Sequence, residues 1–333
     1  MYYFQDQKQI EQFYYTKSLK KDMNKAGGFL LCMFVSIIIL TIIFTVFSII
    51  QFIGTSELQS LLTSTSFTLI FNGLMSVASF FAVGFIYCKI VKLHFADILP
   101  FEKNKLSILI PLCSMGLAIA LAANYASDAV IGVFDFLGFD PTIDMEFKTN
   151  GTFDVIVYYI SVAVVPACVE EFAFRGIVLG CLRKYSDSLA IIVSSITFGI
   201  MHGNFMQIPF AFVVGLILGF VVVKVNSLLP AIIIHFLNNS ISVTFTLLSE
   251  NNTLSTNTIN LIYTGIMILI AFFGIISTIY LIKKHEGFFK LTNSDEIIPF
   301  KEKVKVFAQS PTMIIFFVFM MLEAVSTVAL GMY

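Results

Sequence analysis

The sequence predicts an all-α fold, a polytopic membrane bundle of about eight to nine transmembrane helices enclosing an intramembrane cavity. Three observations carry that expectation. The first is composition: 58% of the 333 residues are hydrophobic and 12% are charged, against about 25% charged in an ordinary soluble domain, and mean hydropathy is +0.91. The second is a series of apolar runs, several of which exceed the roughly 18 residues that a membrane-crossing helix needs. They cover approximately residues 28–53, 67–88, 107–129, 155–182, 188–203, 207–223, 228–248, 258–282 and 312–331. The third is a regular alternation of charge in the loops between them.

Residues 1–27 are mostly polar and form a cytoplasmic N-terminal segment. The run that follows is too long for a signal-peptide core, so it is expected to remain as an anchor. The fourth run is long and contains Pro166, a candidate kink; the fifth is short for a full span. Lysine and arginine beside spans favour the cytoplasm. They cluster before the first run (Lys8, Lys17, Lys20, Lys21, Lys25), after the second (Lys89, Lys92, Lys103, Lys105), after the fourth (Arg183, Lys184) and after the sixth (Lys224). The loop after the eighth run carries Lys283, Lys284, Lys290, Lys301, Lys303 and Lys305. The alternate loops carry Glu57, then Asp135, Asp140, Asp144 and Glu146 with Lys148, then Glu250. Every second loop is basic, as a cytoplasmic N-terminus requires. Residues 28–282 therefore form the main transmembrane domain and residues 310–333 an additional C-terminal span. Residues 283–309 form a basic cytoplasmic loop, lying on the inner membrane surface or serving as a solvated connector.

No internal repeat or low-complexity tract is present. Cys32, Cys88, Cys113, Cys168 and Cys181 are odd in number and scattered, with no C-x-x-C pair, and do not make a disulfide framework. Nucleic acid is excluded as a partner, because no basic patch with interleaved aromatics occurs.

Ionisable groups inside a span cost about 2.5–3.5 kcal/mol each on insertion scales and persist when paired or functional. The middle of the chain concentrates them: Glu170, Glu171 and Arg175 in the fourth run, His202 at the end of the fifth, and His235, Asn238 and Asn239 in the seventh. Glu171 precedes Arg175 by four residues, the favourable order for a helical ion pair. Neighbours on a helix point in different directions, so Glu170 faces another surface and needs another partner. A histidine beside it either keeps it ionised or shares its proton, and both states suit a general base. A charge cluster at a helix end is the plainer reading of these three residues. His235 and Asn239 share a helix face, with Asn238 a competitor, and their N–H groups are candidates for an oxyanion hole. At 1.5 Å per residue, the four groups Glu170, His202, His235 and Asn239 fall roughly 10–21 Å from the cytoplasmic helix ends, at overlapping depths.

Three spaced patterns occur in order, each in its own apolar run: Glu170-Glu171-x-x-x-Arg175, Phe198-x-x-x-His202 and His235-x-x-x-Asn239. Together they resemble the motifs of the CAAX-protease and bacteriocin-processing family, which includes the type II CAAX prenyl endopeptidases. The likeness spans the central quarter to third of the chain, with a catalytic core of about residues 153–248. It implies a multi-helix intramembrane endopeptidase whose site opens toward the cytoplasm. By the family pattern, Glu170 and His202 activate the attacking water, Glu171 and Arg175 orient the site, and His235 and Asn239 stabilise the oxyanion. Nine apolar runs are one more than the family's common eight, which makes the last an appendage; its Glu323 is expected to be paired in the bundle.

The family has been described with and without metal. Glu170, His202 and His235 could supply three zinc ligands, but the H-E-x-x-H spacing is absent and no carboxylate is evident to orient His202 or His235. No cofactor is therefore the favoured expectation, with zinc the alternative. Cys168 lies near the glutamates without a histidine to activate it. Two other functions fit the same scaffold: a non-catalytic bacteriocin-immunity or assembly protein, and a proton-coupled transporter. Short loops and the lack of an organellar retention signal point to a bacterial plasma membrane. The expected partners are the lipid bilayer and a peptide or membrane-protein substrate.

Overall fold

A computed structural model of the chain describes residues 2–51, 64–137, 149, 151–250, 254–292 and 297–329. Glu57, Asp140, Asp144, Glu146 and Lys148, which entered the loop-charge pattern, lie outside the described residues. The described residues are helical, joined by turns, and contain no strand. The helices are α1 (Tyr2–Gln51), α2 (Thr65–Ile90), α3 (Phe95–Ile98), α4 (Leu106–Ala122), α5 (Asn124–Phe136), α6 (Thr152–Arg183), α7 (Asp187–Met201), α8 (Gln207–Val225), α9 (Leu229–Glu250), α10 (Thr256–Lys284), α11 (Phe300–Ala308) and α12 (Pro311–Ala329). Among the described residues, eight helical stretches are long and apolar enough to cross a membrane, with α4 and α5 running on as one. The protein is a multi-pass, all-α membrane bundle.

Large apolar side chains cover its outer surface, including Ile38, Ile42, Leu261, Leu269 and Phe272. Only a helix satisfies its backbone internally in lipid, so this apolar exterior faces hydrocarbon. The core lies around α6, with α7, α8 and α9 packed against it and α4 and α10 against α8 and α9. α7 is the short fifth run. Its 15 residues span about 22 Å, less than the roughly 30 Å of a hydrocarbon core. The turn after it, which carries His202, therefore lies below the membrane surface. α8 returns alongside α7 at close range, because a Cβ on Gly215 would stand 2.9 Å from Ser195 Cα.

α6 departs from regular geometry twice. Tyr159–Val164 and Glu171–Val178 are π-helical, and Pro166 lies between them. π turns inside α-helices are frequent at functional sites. Proline has no N–H for the carbonyl four residues back, which here is Val162.

The two terminal regions are more structured than the sequence alone suggests. Residues 2–27 belong to α1 itself. Within 283–309, α11 packs against α1 and α7, and Lys303 is fully buried with Nζ donating to the Tyr185 carbonyl at 3.2 Å. That helix is docked on the bundle through its buried face. The Tyr185 hydroxyl donates to Asp22 at 2.8 Å, and Lys184 pairs with the same carboxylate at 2.7 Å. Burial, with the Asp22 carboxylate adding to it, pushes the Tyr185 phenol above its ordinary range and keeps it a donor.

Candidate active site

Glu170, Glu171 and Arg175 come from the π-distorted part of α6, His202 follows the last turn of α7, and His235 and Asn239 lie on α9. Glu171 and Arg175 are completely buried, and Arg175 Nη1 donates to Glu171 Oε1 at 2.9 Å. A second guanidinium nitrogen reaches the Gly215 carbonyl at 3.3 Å, a contact that the close α7–α8 crossing makes available. The guanidinium also lies over the Phe198 ring, 4.3 Å from its centroid, a favourable placement for a cation.

His235 stands between the two glutamates. Its Nδ1 is 2.9 Å from Glu171 Oε1, the oxygen that Arg175 also contacts, and its Nε2 is 3.8 Å from Glu170 Oε2. A histidine thus stands beside Glu170, and the same imidazole also takes Glu171. The helix widens into its π segment at Glu171, so successive side chains diverge less, and one imidazole reaches both. The two contacts are unequal. The first is a direct hydrogen bond; the second exceeds hydrogen-bond length and leaves room for a bridging group. Glu170 is also the more accessible carboxylate, at 16% side-chain exposure against 0% for Glu171.

His202 is placed differently. Its Nδ1 lies 2.9 Å from the Phe198 carbonyl. A carbonyl only accepts, so Nδ1 carries the proton and Nε2 of the neutral ring is left as an acceptor. His202 and His235 both meet the Phe198 ring edge-on, with centroids 5.1 and 6.0 Å away. Phe198, a motif residue with no polar atom, thus sets the spacing of the two imidazoles and seats Arg175. The imidazole nearest Glu170 is that of His235.

Asn239 Nδ2 donates to the Val162 carbonyl at 3.2 Å, and Asn238 Nδ2 donates to Asn239 Oδ1 at 3.2 Å. Asn239 therefore ties α9 to the π segment of α6 beside Pro166, and Asn238 fixes which way its amide points. His202, Asn238 and Asn239 line a cavity of about 560 Å³, together with Asn124, Gln207 and Tyr263. These residues lie near the start of α8, the C-terminal half of α9 and the start of α10. The basic residues Lys224, Lys283 and Lys284 stand at the opposite ends of α8 and α10. The cavity therefore lies toward the helix ends opposite those basic residues.

Glu170 lies near His235, and among the described residues no group of three or more His, Cys, Asp or Glu side chains is placed to hold a metal ion. The carboxylate that the sequence did not reveal beside His235 is Glu171, whose ion pair with Arg175 concealed a second role.

Residues 152–241 match the family described as Type II CAAX prenyl endopeptidase Rce1-like. The membrane-embedded CAAX protease MroQ of Staphylococcus aureus (strain USA300) is 32% identical over 100 residues. Over residues 152–241 the chain is similar to the CAAX-protease and bacteriocin-processing family. The alignment covers 28% of this chain and 40% of the staphylococcal protein, so the chain spans under half the length of the curated relative it matches. No solved structure matches the chain. The CAAX-protease match ends two residues after Asn239 and takes in all three motifs, while α10, α11 and α12 lie beyond it.

Sequence reasoning missed two contributors to this site. Asn204 caps the start of α8, its Oδ1 accepting from Met206 N at 2.8 Å, and so shapes the turn that holds His202. Val162, in the π segment just before Pro166, supplies the carbonyl that Asn239 meets, and an apolar residue in an apolar run gives no sign of that contact.

Proposed function

We propose that the protein is an intramembrane endopeptidase that hydrolyses a peptide bond without a metal ion. The observation that carries this reading is His235, held by Glu171 on one nitrogen with Glu170 facing the other. The cluster of Glu170, Glu171, Arg175 and His235 is charge-balanced when the imidazole carries both protons. In that state Glu170 is the base and the His235 Nε2–H is a donor. Glu170 takes a proton from water as the water oxygen bonds to the substrate carbonyl carbon. The oxyanion is held by His235 Nε2–H and by the Asn239 N–H not used by Val162. Glu170 then gives its proton to the amide nitrogen as the C–N bond breaks. His202 Nε2 accepts from water or from substrate N–H in the cavity, and Glu171 and Arg175 hold His235 in place. The likeness to CAAX proteases over residues 152–241 supports the same reading. The substrate is a peptide or membrane-protein segment. The basic loops and N-terminus lie on the cytoplasmic side of a bacterial plasma membrane, and the cavity then lies nearer the far side.

The test is cleavage of a peptide library by purified protein in lipid nanodiscs. Glu170→Gln is expected to lower kcat by about 10²–10⁴, the range for general acid–base catalysis, and a chelator to leave activity unchanged. Full activity in Glu170→Gln removes the mechanism. Loss to a chelator with restoration by zinc replaces it with a metal mechanism.

A further inference from the structure

α12 carries a single charged residue, Glu323. The helix packs on α1 through Met313, Phe316, Met320 and Ala324, all buried. Glu323 lies at the edge of that stripe, about 18 Å along the helix from its first residue, and therefore within the hydrocarbon thickness of roughly 30 Å. Its side chain is exposed on the outside of the bundle. The carboxylate end lies against the turn that follows His202: a Cβ on Gly203 would stand 3.1 Å from Glu323 Cδ and 3.4 Å from Oε1. Gly203 has a φ of +60°, so this position favours glycine on both counts. One turn further along α12, Thr327 Oγ1 reaches the Gly203 carbonyl at 3.4 Å. Two residues of α12 thus border the His202 turn from the lipid side.

Among the described residues no cation pairs with Glu323, which corrects the expectation that the bundle neutralises it. Arg175 is engaged by Glu171. The described lysines and Arg183 lie toward the basic helix ends. An ionisable residue at membrane depth without a partner in its own fold marks a route for a ligand, and its partner has the opposite charge. We infer that Glu323 receives the Lys or Arg side chain of a membrane-spanning substrate segment lying along α12 beside the His202–Gly203 turn. The inference rests on the peptidase reading for its purpose, since it places such a segment next to the catalytic groups. α12 lies outside residues 152–241, the span that matches the family, so this contact is a specificity element supplied by a helix beyond that span.

The experiment measures binding separately from cleavage. Donor-labelled protein in phosphatidylcholine vesicles is titrated with acceptor-labelled Leu-Ala spanning peptides carrying one Lys, Gln or Glu at the depth of Glu323. Wild type is expected to bind the Lys peptide about tenfold more tightly than the Gln peptide. Glu323→Gln erases that difference, and Glu323→Lys transfers the preference to the Glu peptide, a gain that misfolding does not produce. Equal binding of Lys and Gln peptides by wild type, or a Lys preference that survives Glu323→Gln, overturns the inference. Cleavage of the bound peptides is read in parallel with Glu170→Gln. A Lys preference with no Glu170-dependent cleavage would leave the docking site standing and remove the peptidase reading instead.

Discussion

His235 Nδ1 and Glu171 Oε1 are 2.9 Å apart inside the bundle, and the same oxygen receives Arg175 at 2.9 Å. The shared oxygen makes orientation of the imidazole depend on the ion pair. It joins a stability element to the candidate chemistry, and several expectations follow from separating the two.

Glu171→Gln and Arg175→Met each leave an unpaired charge in a fully buried position. Each is expected to cost about 3–5 kcal/mol, as for other buried pairs broken from one side. The double variant removes both charges and is expected to recover most of that loss. Cleavage does not recover with it, because His235 no longer has a carboxylate on Nδ1. Unfolding in detergent gives the stability cycle, and kcat on a library-selected peptide gives the activity. Additive stability losses would show that the pair is not coupled.

Arg175→Lys keeps the charge and tests the fork. A lysine ammonium cannot hold Glu171 and the Gly215 carbonyl together, nor stack flat on Phe198. The expected result is a folded protein with kcat reduced about tenfold or more, equivalent to roughly 1.4 kcal/mol in the barrier. Unchanged kcat would mean that Arg175 contributes charge alone.

Pro166→Ala restores an N–H opposite the Val162 carbonyl. That donor competes with Asn239 Nδ2, now bonded there at 3.2 Å. The variant is expected to be at least as stable as wild type, since a proline in a helix interior costs about 3 kcal/mol, while kcat falls. Asn239→Ala in the same background then has little further effect on kcat, which distinguishes loss of amide positioning from a general change in α6. An active Pro166→Ala enzyme that remains sensitive to Asn239→Ala would refute the link.

Much of this molecule was legible in its sequence. The apolar runs correspond to eight membrane-length helical stretches and the short α7. The i to i+4 spacing of Glu171 and Arg175 appears as a buried ion pair. That one imidazole meets both glutamates was not legible, because two adjacent side chains on a regular helix diverge and the π turn beginning at Glu171 brings them closer in direction. The position of Phe198 between two histidines was hidden for a similar reason: an apolar residue in an apolar run carries no mark of what it touches. The environment of Glu323 was misjudged, since a lone charge in a span does not show whether the fold supplies its partner.

The sequence by itself determined that the chain lives in lipid, which residues are ionisable at membrane depth, and in what order their helices come. Those properties depend on length, hydropathy and spacing, which are local along the chain. Tertiary structure alone decided that one imidazole, His235, meets both glutamates, that the cavity lies at the helix ends opposite the basic residues, and that α12 borders the His202 turn. Each of these depends on how separate helices cross and where a π turn or a proline rotates one against another, and no single segment contains that information.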